Sequence, residues 1–530
     1  MKQKETNGCQ DCSRREFFTR MGTLMGAAVV MPTGLSAFVP ASTPAAAIPS
    51  KKGAVKVRLV FAYHLADIQD RGDWPNKGFD FRPVIKNMTD ALNAGVRGVE
   101  FIPSKAATEE DGKQIAADDG VRGDIAGYMV IQLNCWNRVV LGLADARKPM
   151  LYTCLPYGGD GGWGRYSSML RHAGQPWFDS LSTFRFEEVV AWAGAFSCLK
   201  KGSADDFLRA ATKWRLAHTP TKWSEKAIEG PLECLSPEET LAKVRGSKIL
   251  SIQKDVPRII NALKNDFGVD VEIVPFSQLN EEMAKVGEAE AKAIATQWKD
   301  GARAIEDVTY EELVNSAKMY LAMKELMRRK NAQAVTIDCL GGFRTQNLAH
   351  YPCLGFMQLQ DNGSLGVCEN DLNSTFTMLL FNTFTKGRIG FMSDPVLDMP
   401  TRTIVYSHCV STRKFFGVDG PSYPYEILTH SEDREGASVR TITPIGYPLT
   451  TVKLDVVARK MAVHTGISIG NDPEDKACRT KLVAKVTGDF SQITKNWDTF
   501  AWHRITFFGD FAAQVEKLAA HLGYELVHES

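Results

Sequence analysis

Val55-Lys56-Val57-Arg58-Leu59-Val60-Phe61 is the first strand-like run of the 530-residue chain, and it sets the fold class. Its residues are mostly β-branched or aliphatic, with no Gly or Pro, so it reads as a strand. A helical pattern follows around 81–94. Then come Gly98-Val99-Glu100-Phe101-Ile102, Tyr128-Met129-Val130-Ile131-Gln132-Leu133 and Pro149-Met150-Leu151-Tyr152-Thr153. Buried strands alternating with helices predict a mostly parallel α/β domain over 53–190. Gly158-Gly159-Asp160-Gly161-Gly162-Trp163-Gly164 follows the last of these strands. It lacks the G-x-G-x-x-G spacing and a Lys-Ser/Thr pair, which excludes a phosphate cradle. A mobile loop beside a ligand cleft is expected there, because parallel sheets bind ligands beyond the carboxyl ends of their strands.

A second α/β unit is expected over 191–335. Ser236-Pro237-Glu238-Glu239 and Thr309-Tyr310-Glu311-Glu312 have the form of capping boxes, the first with Pro at the first helical position. Lys248-Ile249-Leu250-Ser251-Ile252 and Val269-Asp270-Val271-Glu272-Ile273-Val274 read as strands. The stretches 279–299 and 309–330 read as surface helices with an apolar stripe. From 336 to 530 the texture changes. Cys, His, Asp and Asn become dense, and short β-like runs separated by turns dominate after 400. The length suits three domains.

Composition removes several classes. Hydrophobic residues make up 44% and charged residues 24%, which excludes disorder, collagen-like repeats and a disulfide mini-scaffold. Lys plus Arg is 63 against 62 Asp plus Glu, a formal charge of +1. That balance argues against nucleic acid or an anionic membrane as the main partner, since both need a concentrated basic surface.

Residues 1–47 read as an address. Ser13-Arg14-Arg15-Glu16-Phe17-Phe18 precedes a weakly apolar run from Met21 to Val39, and Ala45-Ala46-Ala47 offers a cleavage site. Twin arginines ahead of a modest apolar stretch match a twin-arginine export signal. Gly22, Gly26, Pro32 and Gly34 interrupt the run, so it falls short of the about 20 apolar residues of a membrane span. A periplasmic or secreted protein, exported already folded, is expected. Cys9 and Cys12 leave with the signal. The remaining cysteines are scattered, which supports neither a disulfide framework nor a zinc knuckle.

The candidate chemistry lies late in the chain. Val335-Thr336-Ile337-Asp338-Cys339 is a strand ending in a carboxylate. Gly366-Val367-Cys368-Glu369-Asn370-Asp371 opens a helix over 372–385. Ile389 to Asp394 reads as a strand ending at an aspartate, and Ile404 to His408 as one ending in a histidine. His430 with Glu432-Asp433-Arg434 follows, and Trp502-His503-Arg504 comes near the end. Hard divalent cations take carboxylate oxygens, and imidazole suits Mn, Fe or Zn. Glu369, Asp371 and His503 would therefore make a metal site with positions open for substrate. Asp371 has an equally simple role as a helix N-cap. His408, His430 and His503 could each be a satisfied half-buried histidine.

Together these segments resemble a known family. Cys368-Glu369-Asn370-Asp371-Leu372-Asn373-Ser374-Thr375-Phe376-Thr377-Met378-Leu379-Leu380 is similar to the E-N-D-x-L-N-G-x-x-M-L signature of L-fucose isomerase. The pairing with Phe391-Met392-Ser393-Asp394 and His408-Cys409 resembles the wider fucose/arabinose isomerase-like superfamily, as does the block from Trp502-His503 to Gly509-Asp510. The resemblance implies two Rossmann-like α/β domains followed by a C-terminal antiparallel β-barrel-like domain, in a homo-oligomer, trimer or hexamer. It also implies metal-dependent aldose–ketose isomerisation, usually with Mn²⁺, on a small sugar or an oligosaccharide. The metal aspartate falls on Asp371 and the metal histidine on His503. Glu369 and Asp371 become the candidate catalytic carboxylates, and Asp394, His408 and His430 the candidate substrate-binding groups. The family's earlier glutamate ligand, which also transfers protons, should fall near Asn347, where no carboxylate stands. Either Glu369 or Asp338 substitutes for it, or the site is altered. A carbohydrate-binding protein without catalysis, and a glycosidase using paired carboxylates, are the rival readings.

Overall fold

The computed structural model describes residues 53–220, 227 and 232–530. The segment expected to be an export signal lies outside the described residues. Five strands form the first sheet: β1 (Val55–Ala62), β2 (Val99–Ala106), β3 (Ile125–Gln132), β4 (Met150–Cys154) and β5 (Phe178–Ser180). They run parallel in the order β2-β1-β3-β4-β5. The run from Val55 is thus an interior strand, flanked by β2 and β3 and buried from Leu59 onward.

The second unit contributes β6 (Lys248–Ile252), β7 (Asp270–Val274), the short β8 (Ile305–Glu306), β9 (Ala334–Ile337) and β10 (Leu365–Cys368). β7-β6-β9-β10 form a second parallel sheet. It extends past residue 335, because β9 and β10 both lie within or beyond that position. Both sheets share one winding order, changing direction between their first and third strands, the place where open parallel sheets leave a crevice at their carboxyl ends.

The rest is antiparallel. β11 (Phe391–Asp398), β12 (Thr403–His408), β15 (Pro448–Asp455), β16 (Lys460–Asn471), β17 (Thr480–Val486) and β18 (Arg504–Phe508) pair in a ring, β11-β12-β17-β16-β15-β18 and back to β11. The result is a closed six-stranded barrel, which leaves no free edge among those strands. β19 (Glu525–His528) adds in parallel beside β16. β13 (Tyr425–Leu428) and β14 (Ser438–Thr441) form a small sheet with β8, tying the barrel region to the second unit.

A polar network sits inside this ring. The Arg504 guanidinium donates to both oxygens of Glu529 and stacks on Trp497, 4.2 Å from the ring centre. Glu529 also pairs with His464 at 2.9 Å, and His464 meets the Tyr406 hydroxyl at 2.7 Å. Arg504 and Glu529 are fully buried, so each depends on the other for its charge.

Three expectations change. Gly158–Gly164 is no loop: Gly159 caps the helix Asp160–His172, and most of the run is buried. These glycines allow close packing, since a Cβ on Gly159 would lie 2.1 Å from the Gln132 carbonyl oxygen. The helix expected over 279–299 is two helices, Phe276–Ala284 and Glu288–Gly301, broken around Gly287. Asp394 lies in the middle of β11, not at its end. The Ser236 capping box forms with both of its hydrogen bonds, and Thr309 caps its helix through the Glu312 N–H.

Candidate metal centre

A cleft of about 590 Å³ opens where the two parallel sheets and the barrel meet. Its walls come from chain segments just past strand ends. His64 follows β1, and Cys135 and Trp136 follow β3, at the winding reversal of the first sheet. Leu340 and Phe343 belong to the helix after β9, and Glu369 follows β10. Asp394 and Trp502 reach in from the barrel.

Glu369 and Asn370 both adopt left-handed backbone, φ 63° and 50°. Such geometry costs energy for residues with a Cβ and persists where neighbours enforce it. Here Asn370 enforces it. Its side-chain amide donates to the Ile252 carbonyl at 2.8 Å, and its oxygen accepts from the Ser251 hydroxyl at 3.0 Å. Two residues' worth of unusual backbone is thereby pinned to the end of β6, and Glu369 is presented to the cleft.

Glu369, Asp394, His408 and His503 bring one ligand atom each within 4.8 Å of all the others. His503 Nε2 lies 3.5 Å from Glu369 and 3.3 Å from Asp394, and His408 Nε2 lies 3.9 Å from Glu369. Asp394 Oδ1, His408 Nε2 and His503 Nε2 are all buried with no hydrogen-bond partner. Buried polar atoms are seldom left so. Asp394 Oδ1 and His503 Nε2, orphans beside Glu369, fit a cation, and with His408 close by this buried group could hold a metal ion. Of the four, His408 is the weakest ligand: the Val410 N–H approaches its Nδ1 at 3.3 Å, which leaves the ring proton on Nε2.

Asp371 stands one step behind. Its Oδ1 accepts the Ser374 N–H at 3.0 Å, capping the helix Leu372–Phe384. Its Oδ2 lies 2.9 Å from His503 Nδ1 and 2.6 Å from the buried Lys453 ammonium. Asp371, expected as a ligand itself, lies outside the group that could hold an ion: one oxygen caps the helix and the other is taken by His503 and Lys453, while Asp394 and His408 join Glu369 and His503 in its place. A carboxylate on the far nitrogen of a histidine fixes its tautomer and turns the other lone pair toward a metal.

The charges follow. Burial opposes ionisation of Asp371, yet Lys453 and His503 hold its carboxyl well below the usual range. Burial also works against a charge on His503, but Asp394, Asp371 and Glu369 hold its pKa up at about 10. Burial, helped by the Glu369 charge, pushes Asp394 well above the carboxylate range. Burial pushes His408 down to about 4.

The expected site residues are therefore brought together with one exception. His430 is buried outside the group that could hold an ion, held by Asp433 at 2.9 Å and packed on Tyr351 and Phe343. The structure adds residues to which the sequence reading gave no role, although Glu432 and Trp502 stand in segments it quoted. His64 pairs with Asp73 at 2.7 Å, Glu432 lines the cleft, and Trp74, Trp136 and Trp502 form an aromatic wall with Trp502 edge-on to the other two. The one available signal was position: His64 directly follows the strand at which the first sheet reverses. No helix among the described residues is long and apolar enough to cross a membrane. No known protein-family model and no curated protein matches the chain.

Proposed function

We propose that the cleft is the site of a metal-dependent sugar aldose–ketose isomerase. One observation carries this reading: the unpartnered donors of Asp394, His408 and His503 converge with Glu369 at a cleft walled by tryptophans and carboxylates. Glu369, Asp394 and His503 would hold the ion. The oxygen-and-imidazole donor set and the resemblance to fucose isomerases favour Mn²⁺. When bound, the ion supplies positive charge that favours electron density moving onto a carbonyl oxygen.

The chain's own residues do the positioning. Asp371 keeps the His503 lone pair turned to the cluster. His408, carrying its proton on Nε2, donates to a sugar oxygen. The indoles of Trp74, Trp136 and Trp502 give the C–H face of a sugar an apolar surface and displace water from it. The shared strand order of the two parallel units supports reading both as Rossmann-like. The Arg14-Arg15 segment supports export by the twin-arginine route, hence a periplasmic or secreted enzyme.

The test is direct. Purified, dialysed protein is titrated with Mn²⁺ by calorimetry, then incubated with aldopentoses, aldohexoses and 6-deoxyhexoses while ketose is assayed. Metal binding with ketose formation from one sugar is expected. Metal binding with sugar binding but no conversion would favour the carbohydrate-binding reading, and absence of metal binding would remove the isomerase reading.

A further inference from the structure

Six carboxylates line the cleft, and five of them lie within ion-pair distance of a basic group. Asp73 pairs with His64, Asp433 with His430 and the Tyr351 hydroxyl, and Glu435 with Lys77. Glu369 and Asp394 face His503. Glu432 alone has neither a hydrogen bond nor an ion pair to its side chain among the described residues, although it is only 8% exposed. Its backbone is fixed, since its carbonyl accepts the Lys77 N–H at 2.8 Å and its Cβ rests 3.8 Å from where a Cβ on Gly72 would stand. Its carboxyl oxygens open to the cleft and meet no protein group there, which leaves them free for a ligand.

The metal-site carboxylates do not supply a free base. Glu369 and Asp394 face His503 and the proposed ion, and Asp371 is occupied by Lys453, Ser374 and His503. The sequence also lacks a carboxylate near Asn347. We propose that Glu432 is the acid–base residue that carries the substrate's proton between adjacent carbons, an inference that rests on the isomerase reading. Glu432 removes the proton from C2, next to the aldehyde carbon C1. The C2–H electron pair becomes the second C1–C2 bond, and the carbonyl π pair moves onto O1. Glu432 then returns the proton to C1, while the O2 proton passes to O1 and O2 becomes the carbonyl. No oxidant or reductant is needed. Burial, with the like charges of Glu369 and Asp73, holds the Glu432 carboxyl well above its ordinary range, as suits a group that must both take and give a proton.

The experiment uses Mn²⁺-loaded full chain in D₂O with the same aldoses, following exchange of the C2 hydrogen by NMR alongside ketose formation. Glu432→Gln should lower both by about 10²–10⁴-fold. Its Mn²⁺ affinity should match wild type, and its melting temperature should be equal or higher, because a neutral isostere relieves the unpartnered carboxyl. Glu432→Asp should recover part of the exchange. Wild-type exchange unchanged in Glu432→Gln would overturn this inference and leave the isomerase reading standing. A raised KM with unchanged kcat would also overturn it, making Glu432 a binding group. Should Glu432→Gln melt early, its carboxylate has a structural role, and the inference falls. Wild type that neither binds Mn²⁺ nor exchanges the hydrogen would instead remove the isomerase reading itself.

Discussion

Asp371 Oδ2 lies 2.9 Å from His503 Nδ1 across a separation of 132 positions, and the same oxygen lies 2.6 Å from Lys453 Nζ. One carboxylate thus connects a helix start, a buried ammonium and an imidazole that faces the cation cluster. Its neutral analogue separates these duties, because an amide oxygen still caps the helix while the negative charge is gone.

Asp371→Asn should weaken Mn²⁺ binding by about 10–100-fold, the usual effect of losing the partner behind a ligating histidine. It should also destabilise the fold by about 3–5 kcal/mol, because Lys453 is left buried without its counter-charge. Pairing it with Lys453→Met should recover much of the stability but not the metal affinity. Chemical denaturation and calorimetry on the single and double variants check both halves. Full metal affinity in Asp371→Asn would show that His503 needs no such support.

Mn²⁺ should stabilise the wild-type chain by about 2.7 kcal/mol at a concentration one hundred times its Kd, and a chelator should reverse the effect. His503→Gln should abolish that response while keeping a cooperative melt. Thermal unfolding with and without the ion gives the answer, and an identical ion-dependent shift in the variant would remove His503 from the site.

Acid should unfold the protein through Glu529. Burial opposes its charge, but Arg504 and His464 hold its carboxyl down to about 2, against 4.5 for a free glutamate. A lowered folded pKa means stability that is full above pH 4.5 and is lost as pH falls toward 2, about 3 kcal/mol across that window. Denaturant midpoints measured at pH 5 and pH 3 should differ for wild type. Glu529→Gln should be less stable at pH 5 and should lose less between the two pH values.

Trp136→Ala should leave the melting temperature within the small range typical of surface changes, since the indole is 46% exposed. Sugar binding should weaken several-fold, in line with about 0.5–1.5 kcal/mol for an aromatic contact. Quenching of tryptophan fluorescence by a bound sugar reads this directly, and unchanged affinity would take Trp136 out of the binding wall.

Much of this architecture is legible in local sequence. The run from Val55 is an interior strand because, past the half-buried Lys56 and Arg58, its residues are apolar on both faces. Ser236 and Asp371 announce helix starts because a capping oxygen acts within three residues of itself. The glycine run at 158–164 misleads because the same residue permits flexible turns and tight contacts, and only the neighbouring Gln132 carbonyl decides between them. The part that Glu432 plays and the His64–Asp73 pair are not legible for a further reason. They matter because three separate units converge on one cleft, and no local pattern encodes that distance.

Glu529 has a consequence for the order of events during synthesis. The barrel interior is completed by a side chain near the last residue, and that side chain neutralises Arg504, the immediate neighbour of His503. While the ribosome still holds residues 525–530, Arg504 lacks the Glu529 counter-charge, β16 lacks its parallel neighbour β19, and the His503 imidazole hangs from an unfinished wall. The two parallel sheets can form earlier, but the group that could hold an ion can be assembled only once Glu529 has left the ribosome. A nascent chain arrested before residue 525 should therefore carry folded sheets and no cation site.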